Sequence, residues 1–332
     1  MKFLSFTFFL VFICVSGTFP QSKKNIKSLL WKIEYPGTNH ISYILGTNHS
    51  LGHDWLKKFS FLNQLISSAD AMYSETGNMP KTNTNIVSDS TNLQPARNMN
   101  AIFGRDSSLV DSFMTTYLGL PIPLSEMLKN STITEKGYTG QKSFLFGLDA
   151  LMDIKLLSDL SNRKGLISET FNLGKIETLD NLLEKIAVPH IPLLPLDNQK
   201  DLDELFESTK FESSNTIKKI KEYRDYQNGI TSKKIRDLES DLELLYNGKM
   251  DFSQAYKNKI TSTVQKSAID RNNDWVKKLT KELKQKNLFI AFGSGHLIIN
   301  RKYGVLDQLK KAGFKATPIN MLEHTLHTHS KK

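Results

Sequence analysis

"LLWKIEYPGTNHISYILGTNHSLGHD", residues 29 to 54, decides how the rest of the chain is read. Two strand-like apolar runs, 29–35 and 41–46, flank Pro36-Gly37, a pair that turns the chain, so the spacing predicts a β-hairpin. Within it the tetrapeptide Gly-Thr-Asn-His occurs twice, ending at His40 and at His49. His40 follows the turn and precedes a strand, which is the place of a turn residue. His49 instead leaves an apolar strand by a Gly-led turn and leads toward a helix. In open parallel sheets ligands sit beyond the carboxyl ends of strands, so placement selects His49.

Outward from the hairpin, Trp55, Phe59, Leu62, Leu65 and Ile66 recur at helical spacing, and Asp54 stands where it could cap that helix. The next strand, "AMYSE", ends at Glu75. Strand, helix, strand in this order predicts a right-handed crossover between parallel strands. Residues 142–170 repeat the arrangement, and their last strand ends in Ser168-Glu169-Thr170 as the first ends in Ser74-Glu75-Thr76. The stretch 287–319 gives a closing unit: an apolar strand into Gly293-Ser294-Gly295-His296, a helix over 303–313, and a last strand. These elements predict an α/β fold with a mainly parallel sheet built from diverged strand-helix-strand repeats and carrying a helical insertion.

The intervening segments are read more coarsely. Residues 76–100 are rich in Asn, Ser and Thr with almost no large apolar residue, which predicts a long, mobile surface loop. Residues 102–142 suggest helix in pieces. Residues 176–285 read as mostly helical, interrupted by the proline-punctuated "VPHIPLLP" at 188–195.

At the start, Lys2, an apolar run from Phe3 to Val15 and the small residues Ser16, Gly17 and Thr18 make a secretory signal pattern, too short to span a bilayer. We read 1–17 as a signal peptide, 18–28 as a linker, 29–322 as one domain and 323–332 as a tail carrying His324, His327 and His329. The single cysteine, Cys14, lies in the signal, so the exported chain would hold neither thiol nor disulfide. Its expected location is extracytoplasmic, periplasmic or secreted. No later apolar run approaches membrane-helix length. The 44 Lys and Arg against 34 Asp and Glu leave an excess of basic charge, suited to anionic lipid or cell-wall polymer. Nucleic acid is excluded as the expected partner, since export and the lack of a basic patch interleaved with aromatics both argue against it. In 277–286 the lysines ride above Val276, Leu279 and Leu283, the pattern of a solvated helix face.

His49 and His296 both follow a strand through a Gly-led turn, and Glu75 ends a parallel strand on the same edge. Asp149 and Glu169 reach that edge from the middle unit. Two imidazoles with one to three carboxylates form a plausible divalent-metal site.

These residues carry a family resemblance. The chain resembles the TraB/GumN group, which includes the Tiki metalloproteases. "LWKIEYPGTNHISYILGTNHS" looks like its opening strands and first Gly-x-x-His, "AMYSE" like its Glu-ending strand, and "GLDALMDIKLLSDLSNRKGLISET" like its central segment. "DRNNDW", 270–275, is similar to its Arg-Asn pair and "LFIAFGSGHL" to its second Gly-x-x-His. The resemblance implies a metal site of His49, Glu75 and His296, and assigns the Arg-Asn pair to Arg271 and Asn272. It also implies a metal-dependent hydrolase, with peptidase activity known for the Tiki branch and peptide-signal inhibition linked to TraB. The chain departs from the family in its long 76–100 loop and in "FNLGKIETLDNLL", which replaces a Gln-containing helix.

The expected function is therefore an exported metal-dependent hydrolase using Mn, Co or Zn on a peptide or protein substrate. In that reading Glu75 is metal ligand or general base, and Arg271 stabilises the oxyanion. The alternative is an extracytoplasmic protein that binds and sequesters a peptide or a metal-containing ligand without turnover.

Overall fold

The computed structural model describes residues 25–77, 93–94, 99–120, 122–129, 133–134, 151–167, 177–198, 213–253, 263–297, 299 and 302–329. Its first half runs β1 (Ile26–Ser28), β2 (Leu30–Glu34), β3 (Ile41–Thr47), α1 (His53–Lys58), α2 (Phe61–Ser67) and β4 (Ala71–Ser74). Short pieces follow: β5 (Leu93–Gln94), α3 (Met99–Phe103), α4 (Ser107–Thr116), α5 (Leu124–Lys129), β6 (Ile133–Thr134) and α6 through 151–163. Then come α7 (Leu179–Ala187), β7 (Leu193–Pro195), α8 (Ser213–Gln227), α9 (Lys233–Tyr246), β8 (Lys249–Asp251) and α10 (Thr263–Glu282). The chain closes with β9 (Leu288–Gly293), a 3-10 turn (Ser294–Leu297), α11 (Val305–Lys311), β10 (Lys315–Pro318) and α12 (Met321–His329).

Six strands form the central sheet in the order β10-β2-β3-β9-β4-β7. The hairpin is present, with Leu30 opposite Leu45 and Glu34 opposite Ile41. β3, β9, β4 and β7 pair parallel to one another, whereas β2 runs antiparallel to both β3 and β10. The sheet is therefore mixed, which corrects the mainly parallel one expected. β9 lies between β3 and β4, so the first crossover unit joins two strands that do not touch.

Both faces of the sheet are covered, as β4 and β9, buried at every position, require. Trp31, Ile44, Tyr73, Ile290 and Phe292 face Trp275, Val276, Leu279 and Leu283 of the α10 segment, with α11 beside them. Leu30, Leu45, Met72, Phe289 and Ala291 face Trp55, Phe59, Leu62, Leu179 and Leu183 from α1, α2 and α7. The stripe Val276, Leu279, Leu283 is buried as read from the sequence. A separate helical core joins α3, α4, α6 and α8 through Phe103, Val110, Phe113, Met152 and Ile220.

Local expectations are corrected in three places. The helix expected over 55–69 is two helices, and Gly52, not Asp54, precedes the first. Phe59 and Phe61 are both buried, and two positions apart on one helix they would point to opposite sides; a break at Ser60 lets both face the core. The proline-punctuated stretch contains β7, an edge strand of the main sheet, where proline is tolerated. Residues 26–28 of the expected linker form β1, paired antiparallel with β8. The helix of the middle repeat is present as α6, but Asp149 and Glu169 lie outside the described residues, as do the signal segment and most of the 76–100 loop. The tail begins as helix, with His324 packed edge-on against Phe61. Among the described residues no helix is long and apolar enough to cross a membrane.

Candidate active site at the strand ends

The carboxyl ends of β3, β9 and β4 lie side by side. Thr47 is level with Gly293, and Ser74 with Ala291, so His49, His296 and Glu75 leave the sheet at neighbouring points of one edge. His40 sits at the other end of β3. Six steps of about 3.4 Å between Ile41 and Thr47 put the two ends of β3 roughly 20 Å apart.

Gly46 explains why the two Gly-x-x-His turns can meet. A Cβ there would stand 2.5 Å from Leu297 Cδ1 and 3.0 Å from Ser294 Cα, so glycine lets the second turn lie directly on the end of β3. Beyond it, Asn48 Oδ1 accepts bonds from the backbone N–H and hydroxyl of Ser50 at 3.0 and 2.6 Å, an Asx turn that shapes the backbone around His49.

Glu75 is held at both oxygens. Oε1 accepts the Gly293 N–H at 2.8 Å and Oε2 accepts Arg271 Nη2 at 2.6 Å. Arg271, on α10, is itself gripped by Asp197, whose carboxylate accepts Nε at 2.9 Å and Nη2 at 2.6 Å, together with the Trp275 indole N–H at 2.8 Å. The guanidinium also lies 4.8 Å from the Trp275 ring centre. All three charged groups are largely buried. Burial raises a carboxyl pKa, but for Glu75 the guanidinium, the nearby His296 and the Gly293 N–H outweigh it and hold the group down at about 2. Asp197, more deeply buried, is pushed up by desolvation and by the Glu75 charge, against the pull of Arg271. Arg271, desolvated but facing two carboxylates, has its pKa raised and stays a cation.

His296 is 3% exposed and stacks obliquely on Trp275 at 4.5 Å. Its Nδ1 lies 2.6 Å from Asn272 Oδ1. The Asn272 amide nitrogen donates to the carbonyls of His296 at 3.1 Å and Tyr303 at 2.8 Å, which fixes the amide with its oxygen toward the ring. Nδ1 therefore carries the proton, and Nε2 is the basic nitrogen. Burial and Arg271 bring the pKa down to about 3, with Glu75 opposing, so this ring is neutral at physiological pH.

His49 is anchored in the same sense by a different partner. Its Nδ1 is 2.7 Å from Asp180 Oδ2, and the other oxygen of that carboxylate accepts the Thr47 hydroxyl at 2.6 Å. Desolvation lowers the His49 pKa, but Asp180 and, more weakly, Glu75 outweigh it and raise the value above that of a free imidazole. The contact is a short ion-pair approach of Nδ1 to the carboxylate, so Asp180 faces the Nδ1 side of the ring.

The structure thus gathers His49, Glu75, Arg271, Asn272 and His296 at one edge. It gives Arg271 a task ahead of the expected oxyanion contact: its Nε and Nη2 are committed to carboxylates and hold Glu75 ionised. Asp197 and Asp180 were not found from sequence. Asp197 stands just beyond a strand end, as Glu75 does, but the prolines around β7 hid that strand. Asp180 lies in the first turn of α7 behind the capping Thr178, and nothing local links it to His49.

Two imidazoles and an ionised carboxylate are the donor types a borderline divalent cation takes, and an outer-shell oxygen beside Nδ1 is the usual way to orient such ligands. The donor chemistry fits. Among the described residues, no three His, Cys, Asp or Glu side chains are drawn close enough to form a metal-holding cluster.

The model of the TraB/PrgY/gumN family matches residues 29–318, most of the chain, and the protein belongs to that family. No curated protein and no solved structure matches the chain.

Proposed function

We propose that this member of the TraB/PrgY/gumN family is an exported metal-dependent hydrolase acting on peptide bonds, with the strand-end edge as its active site. The observation that carries the reading is the matched placement of two histidines: Nδ1 of His296 lies 2.6 Å from Asn272 Oδ1 and Nδ1 of His49 lies 2.7 Å from Asp180 Oδ2, an arrangement that would direct coordination to Nε2 of each ring. His49 and His296 through Nε2, and Glu75 through its carboxylate, would hold a Mn, Co or Zn ion. Bound there, the cation would lower the pKa of a water molecule toward neutrality and polarise a scissile carbonyl.

The protein's own groups divide the remaining work. A carboxyl held at about 2 is a weak base, so Glu75 acts as a charged ligand rather than as the acceptor of the water proton. Arg271 and Gly293 N–H fix its orientation and keep it ionised across the physiological range. Asn272 locks the His296 ring, and Trp275 lies against one side of it, shielding it from solvent.

Metal analysis of the purified chain, combined with a fluorogenic peptide screen, tests the reading. Stoichiometric metal and cleavage that chelation stops and metal restores are expected. Metal uptake with peptide binding but no cleavage would favour sequestration, and an absence of both metal and turnover would remove the proposal.

A further inference from the structure

The hydrolase reading needs His49 and Glu75 to hold a fixed separation, yet they leave strands that do not touch. β9 runs between them, and each continues into a turn. The fixed reference is α7. Asp180 and Glu184 are one helical turn apart, so they share a face of this helix. Asp180 bridges Thr47 Oγ1 and His49 Nδ1 at the end of β3. Glu184, buried, accepts the Ser74 hydroxyl at 2.7 Å at the end of β4, the residue directly before Glu75. The Ser74 oxygen in turn accepts the Gly77 N–H at 2.9 Å, closing the turn that follows Glu75. The helix is itself well anchored: Thr178 caps it by accepting the Asn181 N–H, and Leu179, Leu182, Leu183 and Ala187 are buried.

We propose that Asp180 is the positioning residue of His49, and that α7, through Asp180 and Glu184, sets the ends of β3 and β4 relative to one another. Asp180 does not meet substrate or metal. It fixes the imidazole tautomer, as Asn272 does for His296. The proposal rests on the metal-site reading for its purpose but not for its geometry, and the two can fail separately.

The test uses the full chain with Asp180→Ala, and with Asp180→Asn as the shape-conserving variant. In metal-free protein at about pH 9, above the normal imidazole range, two-bond 1H–15N spectra report which nitrogen of His49 carries the proton, with His49→Gln supplying the assignment. Wild type is expected as the Nδ1–H form. Asp180→Ala should move His49 toward the Nε2–H form that free imidazoles prefer. Calorimetric titration with Mn, Co and Zn salts should show affinity about 10–100-fold weaker in Asp180→Ala, the range for loss of an outer-shell partner. Asp180→Asn, which has lost the charge, should weaken binding in the same direction, and it carries the test if the alanine chain does not fold. An unchanged His49 tautomer with unchanged affinity would overturn the proposal, as would a lowered melting temperature with neither readout moved. If wild type takes up no metal while Asp180→Ala still switches the tautomer, the metal reading falls and the positioning role stands.

Discussion

His296 is kept neutral by its surroundings, and this has a consequence for stability. In the unfolded chain the imidazole takes up a proton near pH 6.5; in the fold it does so only near 3, because burial and Arg271 oppose its charge. Between those values the unfolded state binds more protons, so stability falls as pH falls, by up to about 1.4 kcal/mol per pH unit for one full proton. Glu75 adds to the loss between about 4.5 and 2, whereas His49, whose pKa is raised, contributes stability that is fully present below about 6.5 and is lost only as pH rises above it. Denaturant unfolding of metal-free protein between about pH 6.5 and 5 should therefore show a steeper pH slope for wild type than for His296→Gln. Equal slopes would mean that the buried ring is not held neutral. The other Gly-x-x-His histidines make a sharper contrast. His49→Ala should abolish tight metal binding, and His40→Ala should leave it within a fewfold of wild type, because only His49 stands at a carboxyl strand end. Metal titration decides this, and equal losses would defeat the placement argument. At this scale much of the candidate site was legible: His49, Glu75 and His296 follow neighbouring strand ends, and Arg271 and Asn272 contact Glu75 and His296. Asp180 and Asp197 were not legible, since each acts through a contact far off in sequence, 131 positions for Asp180 (180 − 49) and 74 for Asp197 with Arg271.

Among the elements, the two Gly-x-x-His turns function as a packed pair. Gly46 has no room for a methyl group, because Leu297 and Ser294 of the second turn lie on it. Gly46→Ala should cost about 1–3 kcal/mol, the usual penalty for overpacking. It should also weaken metal binding, by pushing the turn before His296 away from β3. Thermal melting and metal titration on one sample check both, and loss of neither would mean that the contact yields freely. The hairpin was readable because Pro36-Gly37 lies between two apolar runs, a local signal. The strand order was not: inserting β9 beside β3 pairs residues 246 positions apart in sequence, as Ser42 Oγ with the Leu288 N–H illustrates. The mixed character of the sheet has the same origin. β2 is antiparallel to β3 by a local turn, but its pairing with β10 joins the two ends of the domain. The edge strand β7 was obscured by Pro192 and Pro195, residues that argue against a central strand but are tolerated at an edge.

For the whole molecule, the question is whether the buried charges serve catalysis or merely the fold, and the arrangement of three groups gives a discriminating answer. Glu75, Arg271 and Asp197 form a buried triad in which the cation has two carboxylates. Asp197 takes the bidentate fork and the Trp275 N–H, while Glu75 receives a single guanidinium bond and a backbone N–H. Glu75→Gln keeps side-chain size and an acceptor for Gly293, and leaves Arg271 paired with Asp197, so no buried charge is orphaned. Asp197→Ala strips Arg271 of its fork and Trp275 of its acceptor, and should cost about 3–5 kcal/mol, the range for breaking a buried ion pair. The metal-hydrolase reading then requires an inverse pattern in function. Chelation should stop peptide cleavage, and Mn, Co or Zn should restore it without refolding, because the ligands sit on preformed strand ends. Glu75→Gln should lower turnover and metal affinity far more than it lowers the melting temperature, while Asp197→Ala should do the reverse per folded molecule. Melting, metal titration and cleavage measured on the same preparations separate the two roles. A Glu75→Gln protein that is unstable yet fully active when folded, or cleavage indifferent to chelator, would make the triad a structural device and return the strand-end edge to ligand capture without turnover.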